Sequence, residues 1–425
     1  MNWQELQEKM VAIRRDLHEY PESGWMEFRT SSIIASALES MGYHVSLGAG
    51  IIEKNSVMGR ENARVPAEIE RALSQGADRE LIEKMKGYTG VVGYLDTGRE
   101  GPEVSLRFDI DAVDVSEAED EKHRPFREGF ASRNAGVMHS CGHDGHTAIG
   151  LILAEVVASS AQSLKGRIKF IFQPAEEGVR GGKAMTDAGL LDNSDFFLSL
   201  HLGMGLPSGS LACGISGLLY TKKFDVRYTG KASHAGAAPE NGRNALLAAA
   251  STTLNLHAIS PHSGGATRIN VGLLNAGEGR NVIPPTALMK IETRGENDLV
   301  AHYIYKRAEQ IIKAGAEMYE VDHTLEAMGE SVSAESSRDL VEVIYSKACS
   351  MGNFSHVERF SRFGGSDDVA WMMKRVQEKG GESTYIMLGA DIAEGHHNRY
   401  FDFDESVMVH GLKLLYGVLK DILAI

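Results

Sequence analysis

Hydrophobic patterning divides the chain into two textures. Apolar residues cluster over 89–95, 166–172 and 196–201, as in strands buried on both faces, and 103–111 reads as a further strand that ends in two carboxylates. Helical runs over 151–160 and 181–189 lie between these strands, so strand and helix alternate. That order predicts an α/β fold built on a mostly parallel, doubly wound open sheet. Upstream, Leu6, Met10, Val11, Ile13 and Leu17 recur at helical spacing over 5–19, and Pro21 closes the helix. A second helix from about 30 to 41 precedes a short strand at 43–46. The stretch 51–86 is rich in Glu and Arg, with Pro66 placed where a helix could begin. It reads as one or two surface helices that decorate the domain.

Near residue 217 the texture changes. Residues 224–229 alternate apolar with polar, as in a strand with one solvated face. A helix over 243–259, strands over 267–275 and 287–294, a helix over 298–319 and a strand over 323–328 then complete a βαββαβ order, which predicts a ferredoxin-like α+β domain. Signals of the earlier type return at 339–350 and 384–388, and a helix over 405–423 ends the chain. The expectation is therefore a first domain of 1–216 with 332–425, interrupted by an inserted domain of 217–331. The outward face of the alternating strand predicts pairing with another chain.

Composition narrows the function classes. A chain of 425 residues is long for one core, in line with two domains. Lys+Arg 44 against Asp+Glu 58 leaves a net charge of −14, which disfavours nucleic acid and anionic membranes as partners and leaves a small-molecule substrate. No stretch approaches the roughly 18 apolar residues of a membrane span, and the first residues lack a signal peptide's basic start and apolar core. The three cysteines, Cys141, Cys213 and Cys349, are too few and odd in number for a disulfide framework. A cytoplasmic address is expected.

The chemistry concentrates at 137–146, where His139, Cys141, His143, Asp144 and His146 crowd onto a glycine-containing loop just before an apolar helix. A lone Cys or His is ordinarily a small buried residue or a satisfied one. Cys141 and His143 together, followed by further donors, have the density a transition-metal site needs. Asp109 and Asp111 stand at i and i+2 at the end of a strand, on one face, where open α/β sheets hold ligands. Glu176 and Glu177 follow the strand at 166–172; adjacent carboxylates there can divide the work, one on metal and one as a base. His201 reaches the same kind of strand end. A thiol hydrolase with Cys141 as nucleophile is the alternative on these residues, and it leaves Glu177, His201 and His397 without a role.

Four ordered motifs, 138–146, 172–178, 200–201 and 397–405, resemble those of the dinuclear-metal amidohydrolases that include hippurate hydrolase and the plant auxin-conjugate hydrolases. The charged insertion at 51–86 and the phrase at 123–132 resemble the branch of that family that cleaves p-aminobenzoyl-glutamate. This resemblance implies that Cys141, His143, Glu177, His201 and His397 ligate two divalent ions, manganese or zinc, with the Cys141 thiolate bridging. His396 adjoins the implied ligand. The resemblance further implies Glu176 as the general base and His234, in 231–236, as an oxyanion donor that often serves a dimer partner's site. Asp109 and Asp111 are expected to orient ligands, and Asn270 and Arg294 to hold the substrate's carboxylate. The expected reaction is hydrolysis of an N-acyl amino acid, p-aminobenzoyl-glutamate in the narrower reading and hippurate-type substrates in the broader one. The expected assembly is a homodimer or a heterodimer with a related chain, with a non-catalytic role in such a pair as the remaining alternative.

Overall fold

The computed structural model describes residues 2–425, which form two compact units. The first comprises residues 2–216, 334–363 and 367–425; the second comprises 217–333 with 364–366. The second unit therefore runs two residues past the expected 331 and takes in a short piece of a distant loop.

In the first unit, α1 (Trp3–Glu19) starts at Asn2, whose side chain accepts from the Glu5 N–H. Then come α2 (Phe28–Ser40), β1 (His44–Leu47), α3 (Val65–Ser74), α4 (Arg79–Met85), β2 (Val91–Asp96) and β3 (Glu103–Asp109). The short α5 (Arg124–Glu128), α6 (His143–Ser160), β4 (Arg167–Gln173), α7 (Gly182–Asp187), β5 (Phe196–Leu202) and β6 (Ser210–Ser216) follow. The second unit holds β7 (Tyr220–Thr229), α8 (Ala245–His257), β8 (Thr267–Ala276), β9 (Thr286–Gly295), α9 (Asp298–Met318) and β10 (Asp322–Ser331). The chain returns to the first unit with α10 (Arg338–Met351), β11 (His356–Arg362), α11 (Val369–Glu378), β12 (Glu382–Leu388) and α12 (Met408–Leu423).

The large sheet has the order β1-β2-β4-β3-β5-β12-β6-β11. Its centre, β4-β3-β5-β12, is parallel throughout, while β1, β2 and the β6-β11 pair join it through antiparallel neighbours. The mostly parallel sheet expected from the alternation is thus present, with antiparallel flanks. Two strands escaped the pattern. Small residues dilute the apolar signal of β6 (Ser-Leu-Ala-Cys-Gly-Ile-Ser), and β11 (His-Val-Glu-Arg-Phe-Ser-Arg) is a partly exposed edge strand whose polarity reads as loop.

Helix α6 is buried almost all round, as its unbroken apolar run implies. It lies against β3 because Gly150 has no side chain: a Cβ there would come within 2.8 Å of the Phe108 ring. The 51–86 stretch is not the solvated decoration expected of it. Ile51, Ile52, Met58, Leu81, Ile82 and Met85 are buried, and the Trp25 indole donates to the Met58 carbonyl at 2.8 Å. Its charges occupy the outer faces of α3 and α4 and mask this inner apolar set.

The second unit is a four-stranded antiparallel sheet, β10-β7-β9-β8, with the βαββαβ order. Phe224, Val226, Tyr228, Met289 and Ile291 form one core with Ala248, Ala249, Ala308 and Ile312 of its two helices.

Candidate metal centre

Parallel β3, β4, β5 and β12 all end on one edge of the large sheet, where open α/β sheets place their ligands. Asp109 is the last residue of β3, Glu176 and Glu177 follow β4, His201 lies near the end of β5, and His397 is in the loop after β12. Cys141 and His143 come from the turn that starts α6, made possible by Gly142 in the left-handed region at φ 93°. Ala175 (φ 52°) and His397 (φ 65°) hold the same conformation without being glycine, a local strain of the kind that gathers at functional sites.

The donor atoms form two groups that share Cys141. One joins Cys141, His143 and His201; the other joins Cys141, Glu177 and His397, with all donor atoms of each group within 4.8 Å of one another. Cys141 Sγ lies 3.6 Å from His201 Nε2, and His397 Nε2 lies 3.2 Å from Glu177 Oε1. A tetrahedral ion about 2.3 Å from sulfur and about 2.0 Å from nitrogen would hold its ligands about 3.5 Å apart, so the spacing fits. Ring tautomers agree with that use. His143 Nδ1 donates to the Asp111 carbonyl at 2.9 Å and His201 Nδ1 to the Leu202 carbonyl at 2.8 Å, leaving both Nε2 lone pairs facing the cluster. His143 Nε2 is buried without a hydrogen-bond partner, as a ligand atom awaiting an ion would be.

His396 and His397 diverge. His396 packs against Phe401 and His201, with Nε2 3.3 Å from the Leu202 carbonyl, whereas His397 reaches Glu177. His146 is fully engaged: it donates from Nδ1 to Asp109 at 2.5 Å and accepts the Leu202 N–H at Nε2. Asp111 accepts the backbone N–H groups of Glu176 (3.1 Å) and Glu177 (2.9 Å). It thereby sets both glutamates, while its carbonyl sets His143.

Burial, and then the negative charges of Asp367, Glu177 and Asp368, push the Glu176 carboxyl well above the usual range, so it holds a proton readily. Burial and Glu177 also raise the Cys141 thiol. A nucleophilic cysteine needs the opposite shift.

Residues 105–421 match peptidase family M20/M25/M40. The chain belongs to this family. It is 48% identical to the A-type chain of p-aminobenzoyl-glutamate hydrolase from Escherichia coli, over 96% of this chain and 94% of the relative. With indole-3-acetyl-aspartic acid hydrolase of Enterobacter agglomerans it shares 47% identity over the same proportions. The crystal structure of the aminobenzoyl-glutamate utilization protein from Klebsiella pneumoniae superposes with a TM-score of 0.85 at 40% identity, covering 99% of this chain and 97% of that one.

The candidate site residues read from the sequence divide between the units. Cys141, His143, Glu176, Glu177, His201, His397, Asp109 and Asp111 converge in the first. His234, Asn270 and Arg294 belong to the second. His234 Nδ1 accepts the N–H groups of Gly236 (3.2 Å) and Ala237 (3.0 Å), which leaves Nε2 to carry the proton as a donor.

Sequence reasoning missed what stands behind the donors. Arg107, inside β3 and fully buried, donates to Asp109 (2.7 Å), Gln173 (2.8 Å) and Asp368 (3.3 Å). Asp367 and Asp368 lie with Glu176 in a group of carboxylates within 4.8 Å. A cation two places before Asp109, in a strand that is buried along its whole length, was the available signal. The pair at 367–368 carried none beyond being acidic. Nor did sequence reveal that Arg180 ties the insertion to the site, donating to the Glu177 carbonyl at 2.7 Å and to the Gly59 carbonyl at 3.2 Å.

Proposed function

We propose that the chain hydrolyses the amide bond of an N-acyl amino acid, p-aminobenzoyl-glutamate giving p-aminobenzoate and glutamate. The observation that carries the reading is the pair of donor groups sharing Cys141 beside a buried Glu176. Two relatives at 47–48% identity are named for hydrolysis of conjugates of acidic amino acids, which favours the glutamyl substrate over a broad hippurate-type range.

In this reading Cys141, His143, Glu177, His201 and His397 hold two divalent ions, with Cys141 shared between them. Thiolate and imidazole suit zinc, and imidazole and carboxylate also suit manganese. When bound, such ions polarise the amide carbonyl and make water a nucleophile near neutral pH. Glu176 takes the proton from the attacking water and delivers it to the amide nitrogen as the C–N bond breaks. His234 supplies an Nε2–H to the developing oxyanion, and Arg294 with Asn270 holds the substrate's carboxylate.

The name of the Escherichia coli relative makes it one part of a larger enzyme, and we propose that this chain likewise pairs, with a second copy or a related chain. Among the described residues no helix is long and apolar enough to cross a membrane; a cytoplasmic location is part of the proposal.

The test is release of p-aminobenzoate from p-aminobenzoyl-glutamate by the purified chain before chelation, after it, and after addition of manganese or zinc. Activity that disappears and returns is expected. Equal rates on unrelated N-acyl amino acids would remove the glutamyl assignment, and silence with metal bound would mean either that a second chain is required or that the substrate is another N-acyl amino acid.

A further inference from the structure

On the second unit's sheet, Arg268 of β8 and Arg294 of β9 stand directly opposite each other in the antiparallel register. Like charges so placed repel and destabilise a sheet. Arg294 is partly compensated, donating to Glu292 at 3.0 Å, and Glu292 also accepts from Thr221 at 3.2 Å. Lys223 faces Glu292 from the other neighbouring strand. Arg268 makes no hydrogen bond or ion pair among the described residues.

Arg268 and Arg294 both line a cavity of about 440 Å³ at the β8 edge, together with Asn270, Glu292 and His257 at the end of α8. That volume is in the range of small-molecule sites. Two arginines and an amide around one carboxylate leave a net positive cavity in a chain whose total charge is −14. A bound dianion would turn the repulsive Arg268–Arg294 pair into a matched receptor, since each guanidinium can hold one carboxylate by two parallel hydrogen bonds.

We infer that this cavity is a dicarboxylate receptor, with Arg268 as a specificity residue that takes the side-chain carboxylate of an acyl-glutamate while Arg294 and Asn270 take the other. The inference rests on the glutamyl reading above and adds to it the group that distinguishes a dicarboxylic from a monocarboxylic amino acid.

Calorimetric titration of the full chain with glutarate, and with butyrate as the one-carboxylate control, tests the receptor without relying on turnover. Glutarate is expected to bind at least about tenfold more tightly than butyrate, as one charge-assisted hydrogen-bonded pair implies. Arg268→Gln should erase that preference and Arg268→Lys should restore part of it. Absence of glutarate binding, or an unchanged preference in Arg268→Gln, would overturn the inference.

Kinetics then locate the ligand. Arg268→Gln should lower kcat/KM on p-aminobenzoyl-glutamate by roughly 10- to 100-fold, mainly through KM, and on p-aminobenzoyl-glycine by less than about threefold. Equal losses on both conjugates would overturn the specificity role. Activation of glycyl-conjugate hydrolysis by added glutarate would also overturn it, by marking a separate effector site. A wild-type chain that holds metal, binds glutarate and hydrolyses other N-acyl amino acids but leaves p-aminobenzoyl-glutamate intact would refute the glutamyl reading and leave the receptor standing.

Discussion

Arg14, fully buried in α1, donates from Nε to Asp144 Oδ2 at 2.8 Å, joining the first helix to the residue that follows His143. The same guanidinium reaches Asp402 at 2.9 Å and Glu405 at 3.2 Å, in the loop that follows His397. Arg124 bonds both of those carboxylates as well, and the ring of Phe130 lies against Arg14 and Arg15. One buried cation thus anchors segments that carry two of the donor residues. Replacing Arg14 by Met leaves Asp144 without its main counter-charge. Urea unfolding should show a loss of about 3–5 kcal/mol, the usual cost of breaking a buried ion pair on one side.

Asp111 touches three parts of the donor cluster through its carboxylate and its carbonyl. Asp111→Asn keeps one acceptor oxygen but turns an N–H group toward a backbone N–H. Metal affinity, measured by competition with a chromogenic chelator, should fall about 10- to 100-fold, the range found when groups that orient metal ligands are altered. Far-UV circular dichroism should be unchanged. An unaltered affinity would show that the glutamate loop holds its shape without this carboxylate.

Glu176→Gln separates proton transfer from metal binding. The side chain keeps its size, while the proton acceptor is lost. kcat should drop by about 10²- to 10⁴-fold with metal content, read by atomic emission, unchanged. Loss of metal in this variant would instead make Glu176 a ligand.

Glu117 predicts acid sensitivity away from the donor cluster. Its carboxylate accepts from His18 at 2.9 Å and His123 at 2.7 Å. Against the opposing effect of burial, these bonds bring it from 4.5 down to about 2. A carboxyl whose folded-state pKa is lowered adds stability above its unfolded value, and that contribution is lost as pH falls from about 4.5 towards about 2. It is worth on the order of 3 kcal/mol. Stability of the wild type should therefore decline across that window more steeply than stability of Glu117→Gln, as followed by urea titrations at successive pH values. Parallel pH profiles would contradict the assignment.

Residue order by itself determined the fold class and the donor loops. Apolar-rich runs such as 196–201 mark strands covered on both faces, and a period of two marks the half-solvated strands of the second unit, although β3 shares that period while being buried throughout. Cys141, His143, Glu176, Glu177 and His201 were legible because each stands at a strand end or helix start that these same patterns locate. Tertiary structure alone decided the rest. His396 and His397 are adjacent and chemically identical, and only the left-handed backbone of His397 turns one of them towards Glu177. Arg107 and Arg14 are single cations whose acidic partners lie up to 261 and 391 residues away. Arg268 meets Arg294 only through sheet register, which no local pattern states. Charges on α3 and α4 hid the apolar side that packs inward, since composition averages over faces that the fold separates.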